Sequence, residues 1–325
     1  MSDYNDYSYI SYLEFSTAIP HNMSDNGIGS VGDACSHYRS NAGGVVKANS
    51  RLYEEMKKHK SFHAFIEEMK NILRKKIEDT DLDSYVRNHP ESNRPLHCAT
   101  MGAYKLNIEY NHKVTIGVNY VTLHLYGEDL WDFKPSPDKG LLKNLFDEII
   151  PGIIAGRGKE FSISYDFHYT VEVEPTYYFI LSSINSNYCL DIEGASRNNE
   201  ANLQIYQLNY TDAQKFSFTK YGDYYFIVCK CSGKVIDVKY SGKTEGTNIF
   251  QYELNRSHAQ QWKISKGIFW TFYSRVNGLC LDLSGSGTYN GNNIQCWNDN
   301  GTNAQKFFVT TNPFLLKIAG LSIFK

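Results

Sequence analysis

Apolar positions in the first half of the chain change period several times. From Arg51 to about Glu78, Leu52, Met56, Phe62, Phe65, Met69, Leu73 and Ile77 recur near helical spacing among Lys and Glu. That spacing predicts one amphipathic helix, or two, lying over a sheet. Tyr104, Leu106, Ile108 and Tyr110 then alternate with polar residues, and Asn111-His112 can turn the chain. A hairpin is expected there, returning through Val114, Ile116, Val118 and Tyr120. Beyond Tyr120 the apolar parity switches to Val121, Leu123 and Leu125, as a β-bulge near Tyr120 would cause. Leu141, Leu142, Leu145, Phe146, Ile149 and Ile150 predict a helix interrupted near Pro151, and Phe161 to Val173 alternates as one long strand. Residues 1–172 therefore read as an α+β domain, its sheet expected antiparallel with helices on one face. Residues 1–49, rich in Ser, Asn, Gly and Asp, read as an irregular surface arm.

The second half is organised by a repeat. Asp191, Asp237 and Asp282 are spaced 46 and 45 residues apart, and Gln214, Gln260 and Gln305 keep the same spacing. Each copy opens on an aromatic run (Tyr177 to Ile180, Tyr224 to Ile227, Phe269 to Phe272) and closes on Gln-x-aromatic: Gln214-Lys215-Phe216, Gln260-Gln261-Trp262 and Gln305-Lys306-Phe307. Short strands in a unit of this length cannot bury an apolar face alone, but three units can close a core together.

On these triplets and aspartates, residues 175–309 resemble a ricin B-type lectin domain, with Phe replacing Trp in two of the three closing motifs. The resemblance implies an all-β trefoil over residues 173–312, following the α+β domain. It also implies sugar sites in which an acid and amides pair with hydroxyls while an aromatic face takes the ring. In the first lobe Asp191, Gln204, Tyr206 and Asn209 stand at the acid, amide, stacking and second-amide positions, and in the third Asp282, Gln295, Trp297 and Asn300 do. The second lobe keeps Asp237, Tyr252 and Asn255, but Phe250 stands where the others have Gln, so this lobe is expected to be weaker or silent. Ala213, Ala259 and Ala304 occupy positions where many galactose-binding members carry Asn, which leaves the sugar open. Sugar binding of this kind requires no cofactor. The competing reading is a trefoil that has kept its core and lost its sites.

Length and composition narrow the remainder. A chain of 325 residues suits two domains, each with its own core. With 33 basic and 35 acidic residues, it carries no broad positive footprint for nucleic acid. No apolar stretch approaches a membrane span, and MSDYNDYSYISYLEF lacks a classical signal peptide, so the expectation is synthesis in the cytoplasm followed by release to the outside. The 25 tyrosines suit a β-rich binder of glycans or glycoconjugates. Seven cysteines, an odd number, are expected to be mostly free thiols, with Cys296 facing away from Trp297 and the Cys-Lys-Cys at 229–231 lacking the ligands of a metal site.

The candidate chemistry of the first domain lies in a segment read as a loop, where Glu128, Asp129 and Asp132 flank Trp131. Crowded carboxylates can hold Mg²⁺ or supply a base, and a turn using acids as surface and cap groups is the alternative. The segment DLWDFKPSPDK is similar to the active-site motif of M-type colicins, which hydrolyse a lipid-linked cell-wall precursor. Asp129 and Asp132 match that motif, Trp131 replaces its Tyr, and Asp138 and Lys139 stand where it has His and Arg. On that resemblance the catalytic candidates are Asp129, Asp132 and Lys139, with His124 or His168 as the missing imidazole. Glu172-Val173-Glu174 resembles the Glu-x-Glu of ADP-ribosylating toxins, although strand alternation accounts for it equally. Cys35 with His37 or His97 lacks the flanking signature of a thiol protease. The apolar tail at 313–325 is expected to dock on this chain or on a partner subunit through Leu315, Leu316, Ile318, Leu321 and Phe324. Three functional classes emerge: a lectin-targeted toxin or bacteriocin-like enzyme, a pure carbohydrate-binding protein, and a component of a toxin complex.

Overall fold

The computed structural model describes residues 44–47, 53, 54, 57, 60–87, 94–98, 102–131 and 161–314. The helix expected at 141–150, most of the arm at 1–49 and the tail from 315 lie outside the described residues. Two compact units divide the chain, one made of Met1–Asn71, Arg87–His112 and Val121–Val171, the other of Ile72–Val86, Lys113–Tyr120 and Glu172–Lys325.

Among the described residues, the first half of the chain has the helix α1 (Lys60–Glu78) and strands β1 (Gly44–Lys47), β2 (Tyr85–Arg87), β3 (Arg94–Cys98), β4 (Gly102–Glu109), β5 (Asn111–Lys113), β6 (Asn119–Trp131) and β7 (Phe161–Val173). Five strands form a sheet in the order β1-β7-β6-β4-β3, and β2 pairs with β5. The apolar stripe of α1 is buried at Phe62, Phe65, Ile66 and Met69, with Phe62 set edge-on to Tyr169 at 5.2 Å and near Phe167 of β7. The helix thus covers the sheet, as its period predicts. Along β7, Val171 and Val173 are buried and Glu172 and Glu174 exposed, the alternation expected of a strand with one covered face.

Four expectations need correction. The sheet is mixed, because Val45 and Val46 lie in β1, inside the supposed arm, and pair parallel with β7. The strand returning from residues 104–110 begins later than expected: β4 pairs antiparallel with β6, Ile108 opposite Leu125, and with β3 on its other side, while residues 114–118 do not pair with it. The alternation through Val114, Ile116 and Val118 belongs to a loop, broken by Gly117 at φ +70°. Asn119 ties that loop, accepting from the Thr115 N–H (2.9 Å) and donating to the Thr115 and Gly117 carbonyls (3.1 and 3.0 Å). The parity switch near Tyr120 therefore marks entry into β6, not a bulge. Lastly, β6 runs on through Glu128 and Asp129 to Trp131, so the acidic segment starts as strand, not as a loop.

The second half is three lobes of four strands. The first lobe has β8 (Phe179–Ser182), β9 (Tyr188–Ile192), β10 (Leu203–Gln207) and β11 (Phe216–Tyr221); the second β12 (Tyr224–Cys229), β13 (Val235–Val238), β14 (Ile249–Tyr252) and β15 (Trp262–Ser265); the third β16 (Thr271–Ser274), β17 (Cys280–Leu283), β18 (Asn292–Trp297) and β19 (Phe307–Thr310). The aromatics that end the repeat triplets, Phe216, Trp262 and Phe307, are fully buried in one core with Phe272, Ile180, Ile227 and the three alanines 213, 259 and 304. Phe in place of Trp therefore fills the same core slot. The polar atom that comes with Trp262 is satisfied, its Nε1 donating to the Ile236 carbonyl at 3.1 Å. Asparagines at matching positions link the lobes: Asn248 donates to Asn202 (2.9 Å) and Asn202 to Asn293 (3.0 Å).

Within this unit, residues 72–86 pack beside the second lobe. Leu82 is buried with Phe226, Val228 and Val235, its N–H donates to the Lys220 carbonyl at 2.8 Å, and Asp83 pairs with Arg256. Cys189, Cys229, Cys231, Cys280 and Cys296 are free thiols, and Cys296 is buried while Trp297 is only half-buried, as alternation predicts.

Candidate carbohydrate sites

The interval between acid and amide follows from strand pairing. Asp191 of β9 lies directly opposite Gln204 of β10, and Asp282 of β17 directly opposite Gln295 of β18. Directly opposed residues share a face, so Gln204 Nε2 donates to Asp191 Oδ1 at 3.0 Å and Gln295 Nε2 to Asp282 Oδ1 at 3.1 Å. Two residues on, Tyr206 and Trp297 project from the same face; Tyr206 is exposed and Trp297 half-buried. The first and third lobes thus each present a fixed carboxylate, an amide already oriented by it and an aromatic ring, which is the equipment for gripping paired hydroxyls and the C–H face of a sugar.

The closing glutamines, which the sequence shows only as a repeat mark, build the wall of each site. Gln214 Oε1 accepts the N–H groups of Asn209 (2.9 Å) and Tyr210 (3.2 Å), while its Nε2 donates to the Gln207 carbonyl (3.0 Å). Gln260 repeats the pattern and also donates to Asp237 Oδ2 at 2.8 Å, while Gln305 accepts from the Asn300 N–H and donates to the Asn298 carbonyl. All three are buried. Asn209, Asn255 and Asn300, assigned from the resemblance as second amides, each use the side-chain carbonyl to cap the turn, accepting from the N–H of Thr211, Ser257 and Thr302.

Electrostatics separates the lobes. Burial pushes all three aspartates above the ordinary carboxylate value, and donated amide hydrogens oppose it. Asp191 and Asp282 each have two such amides, from Gln204 with Gln214 and from Gln295 with Gln305. Asp237 has Gln260 alone, because Phe250 stands opposite it, and burial carries its pKa up to about 6. Tyr252 flanks Phe250 with ring centroids 6.0 Å apart.

A family model for the ricin-type β-trefoil lectin domain matches residues 177–307. Those residues are a ricin-type β-trefoil lectin domain. Among solved structures, the designed three-fold symmetric protein ThreeFoil is 27% identical, with a TM-score of 0.41 over 42% of this chain and 98% of its own. The C-half of the earthworm R-type lectin in complex with GalNAc is 22% identical, with a TM-score of 0.34 over 42% of this chain and 98% of its own. A mosquitocidal holotoxin is 19% identical with a TM-score of 0.39, and the match spans 42% of this chain but 17% of the toxin. No curated protein sequence matches the chain.

Of the enzymatic candidates, Asp129 lies on β6, and Asp132 and Lys139 lie outside the described residues. The two histidines do come together: the rings of His124 and His168 stack at 4.6 Å, and His124 Nε2 lies 2.9 Å from Asp166 Oδ1. Among the described residues no group of three or more His, Cys, Asp or Glu side chains is placed to hold a metal ion. No described helix is long and apolar enough to cross a membrane.

Proposed function

We propose that the lectin domain binds glycans at the first and third lobes, through Asp191, Gln204 and Tyr206 and through Asp282, Gln295 and Trp297. The observation that carries this reading is the cross-strand aspartate–glutamine pair repeated in those two lobes beside an accessible aromatic ring. A buried carboxylate held by an amide accepts sugar hydroxyls without reorganising, and the indole of Trp297 offers the larger stacking face. Two weak sites on one rigid scaffold strengthen each other on a surface that displays many copies of a glycan. Screening the protein on a glycan array beside Asp282→Ala and Trp297→Ala tests the reading: retention by the parent and weakening by both variants supports it, and an empty array refutes it.

We extend this reading to a wider role on the basis of the order of the chain, in which the lectin domain follows the first half in sequence. The domain serves to bring that first half to glycosylated surfaces outside the producing cell, as the targeting half of a toxin or bacteriocin-like protein or as the carbohydrate-binding component of a larger toxin complex. The resemblance of DLWDFKPSPDK to the colicin motif supports a more specific proposal, hydrolysis of a phosphate-linked lipid with Asp132 as base or Mg²⁺ ligand, Asp129 in support and Lys139 supplying positive charge. Incubation with lipid-linked peptidoglycan precursor and Mg²⁺ tests it: release of a phosphorylated headgroup by the parent but not by Asp132→Ala is the expected result, and no release by the parent rejects the activity.

A further inference from the structure

The second lobe departs from its sisters at two positions, and the first-lobe hairpin tip that docks on it departs at a third; Tyr240 touches both of the others. Phe250 faces Asp237 where Gln204 and Gln295 face the other aspartates. Tyr240, at φ +53°, occupies the turn position held by Gly194 (φ +62°) and Gly285 (φ +59°). Glu200, at φ +66°, sits where the repeat has Gly246 (φ +81°) and Gly291 (φ +83°). These last positions are hairpin tips that dock on the neighbouring lobe: Glu200 N–H donates to Gln251 of the second lobe (2.8 Å), Gly246 to Cys296 of the third and Gly291 to Ile205 of the first. The tip beside the second lobe is thus the one that carries a carboxylate.

Left-handed backbone favours glycine, so a tyrosine and a glutamate there each impose strain that the turn alone does not require. Both side chains reach the same place. Tyr240 Oη donates to Glu200 Oε2 at 3.3 Å, and the Tyr240 ring meets Phe250 at 6.2 Å and 70°. Tyr240 is 75% exposed, and Asp237 keeps the same 5% exposure as Asp191 and Asp282, so the aromatic residues have not sealed the carboxylate. The lobe has exchanged an amide, which offers both a donor and an acceptor, for π faces and a second acid. Lys239 Nζ already rests 5.2 Å from the Tyr240 centroid, within the range in which a ring face holds a cation.

We propose that the second lobe is a binding site for a sugar bearing a free, protonated amine, with Asp237 and Glu200 as the anionic contacts and Tyr240, Phe250 and Tyr252 as aromatic walls. The ammonium supplies the hydrogen bonds and positive charge that Asp237 lacks without its amide partner, and the rings favour a cation over a neutral group. An N-acetylated or neutral sugar brings no charge and gains less. The inference rests on the reading of the trefoil as a sugar-binding domain.

Amide NMR of the ¹⁵N-labelled full chain at pH 6.5, titrated with glucosamine, N-acetylglucosamine and glucose, tests it. Glucosamine is expected to shift the amides of Asp237, Tyr240 and Tyr252 at concentrations about tenfold below those N-acetylglucosamine needs, and Tyr240→Gly or Phe250→Gln is expected to remove that preference. Both substitutions install the residue found at the same position of the sister lobes, so the fold is kept, and the amides of Tyr206 and Trp297 monitor the other two sites. Equal response of the second lobe to all three sugars, or a preference that survives both substitutions, overturns the proposal while a response at Tyr206 and Trp297 leaves the lectin reading intact. Silence in every lobe with every sugar overturns both.

Discussion

Asn in place of Asp237 should make the lectin domain more stable at neutral pH, an unusual outcome for removing a buried, hydrogen-bonded side chain. Asp237 is 5% exposed and receives one amide hydrogen, from Gln260, so burial holds its folded pKa at about 6 against an ordinary 3.8. A raised folded pKa means that the folded state binds the proton more tightly. The contribution is fully present below pH 3.8 and is lost as pH rises through 6. Unscreened, that difference corresponds to about 3 kcal/mol; water reaching the open rim of the site reduces it to about 1–2 kcal/mol. Asn removes the charge, keeps the shape and can still accept from Gln260. Urea unfolding at pH 4.5 and pH 7.5, followed by tryptophan emission, measures the effect, since Trp262, Trp270 and Trp297 make three of the four tryptophans. Asp237→Asn should gain about 1–2 kcal/mol over the parent at pH 7.5 and about a third of that at pH 4.5, where the unfolded carboxyl is already mostly ionised. Asp282→Asn, which gives up charge-assisted bonds from two amides, should gain less or lose stability. If Asp237→Asn is destabilising at pH 7.5 by as much as Asp282→Asn, the electrostatic contrast between the lobes is refuted.

Three further outcomes are expected. Gln305→Ala should destabilise the domain by about 2–4 kcal/mol in the same unfolding assay, because a fully buried amide serves the Asn300 N–H and the Asn298 carbonyl and both would lose their partner. Phe216→Ala should cost about 3–5 kcal/mol by leaving a cavity where the lobes meet, and a Phe216→Trp variant that folds normally would show the slot to be tolerant of either ring. Trp297→Ala should weaken sugar binding at the third lobe by about 1–3 kcal/mol while moving unfolding midpoints little, since the ring is only half-buried; calorimetric titration against the parent separates the two effects.

Much of the trefoil was legible because its repeat is written in residues whose roles are local. The 46- and 45-residue period carries the buried aromatics, the aspartates and the amides in register, and the structure places Asp191, Gln204 and Tyr206 on one face, as it does Asp282, Gln295 and Trp297. The second lobe was legible only by subtraction. Phe250 reads as a missing amide, but the roles of Tyr240 and Glu200 depend on φ values and on which hairpin tip meets which lobe, neither of which a residue pattern reports. The same holds for Asn209, Asn255 and Asn300, whose side-chain carbonyls cap the turns, a role the residue pattern does not report. In the first half, alternation misled at Val114–Val118, where Asn119 supplies hydrogen bonds that imitate a strand partner. It fell silent at Gly127–Asp129, where β6 continues without apolar alternation to mark it.

The most direct test of the glycan-binding account is the stoichiometry of calorimetric titration with the strongest neutral sugar from the array. Two sites per chain are expected, falling to one in Asp191→Ala, to one in Asp282→Ala and to none in the double variant, with Asp237→Ala unchanged at two. Binding that persists in the double variant, or is abolished by Asp237→Ala alone, would contradict the account.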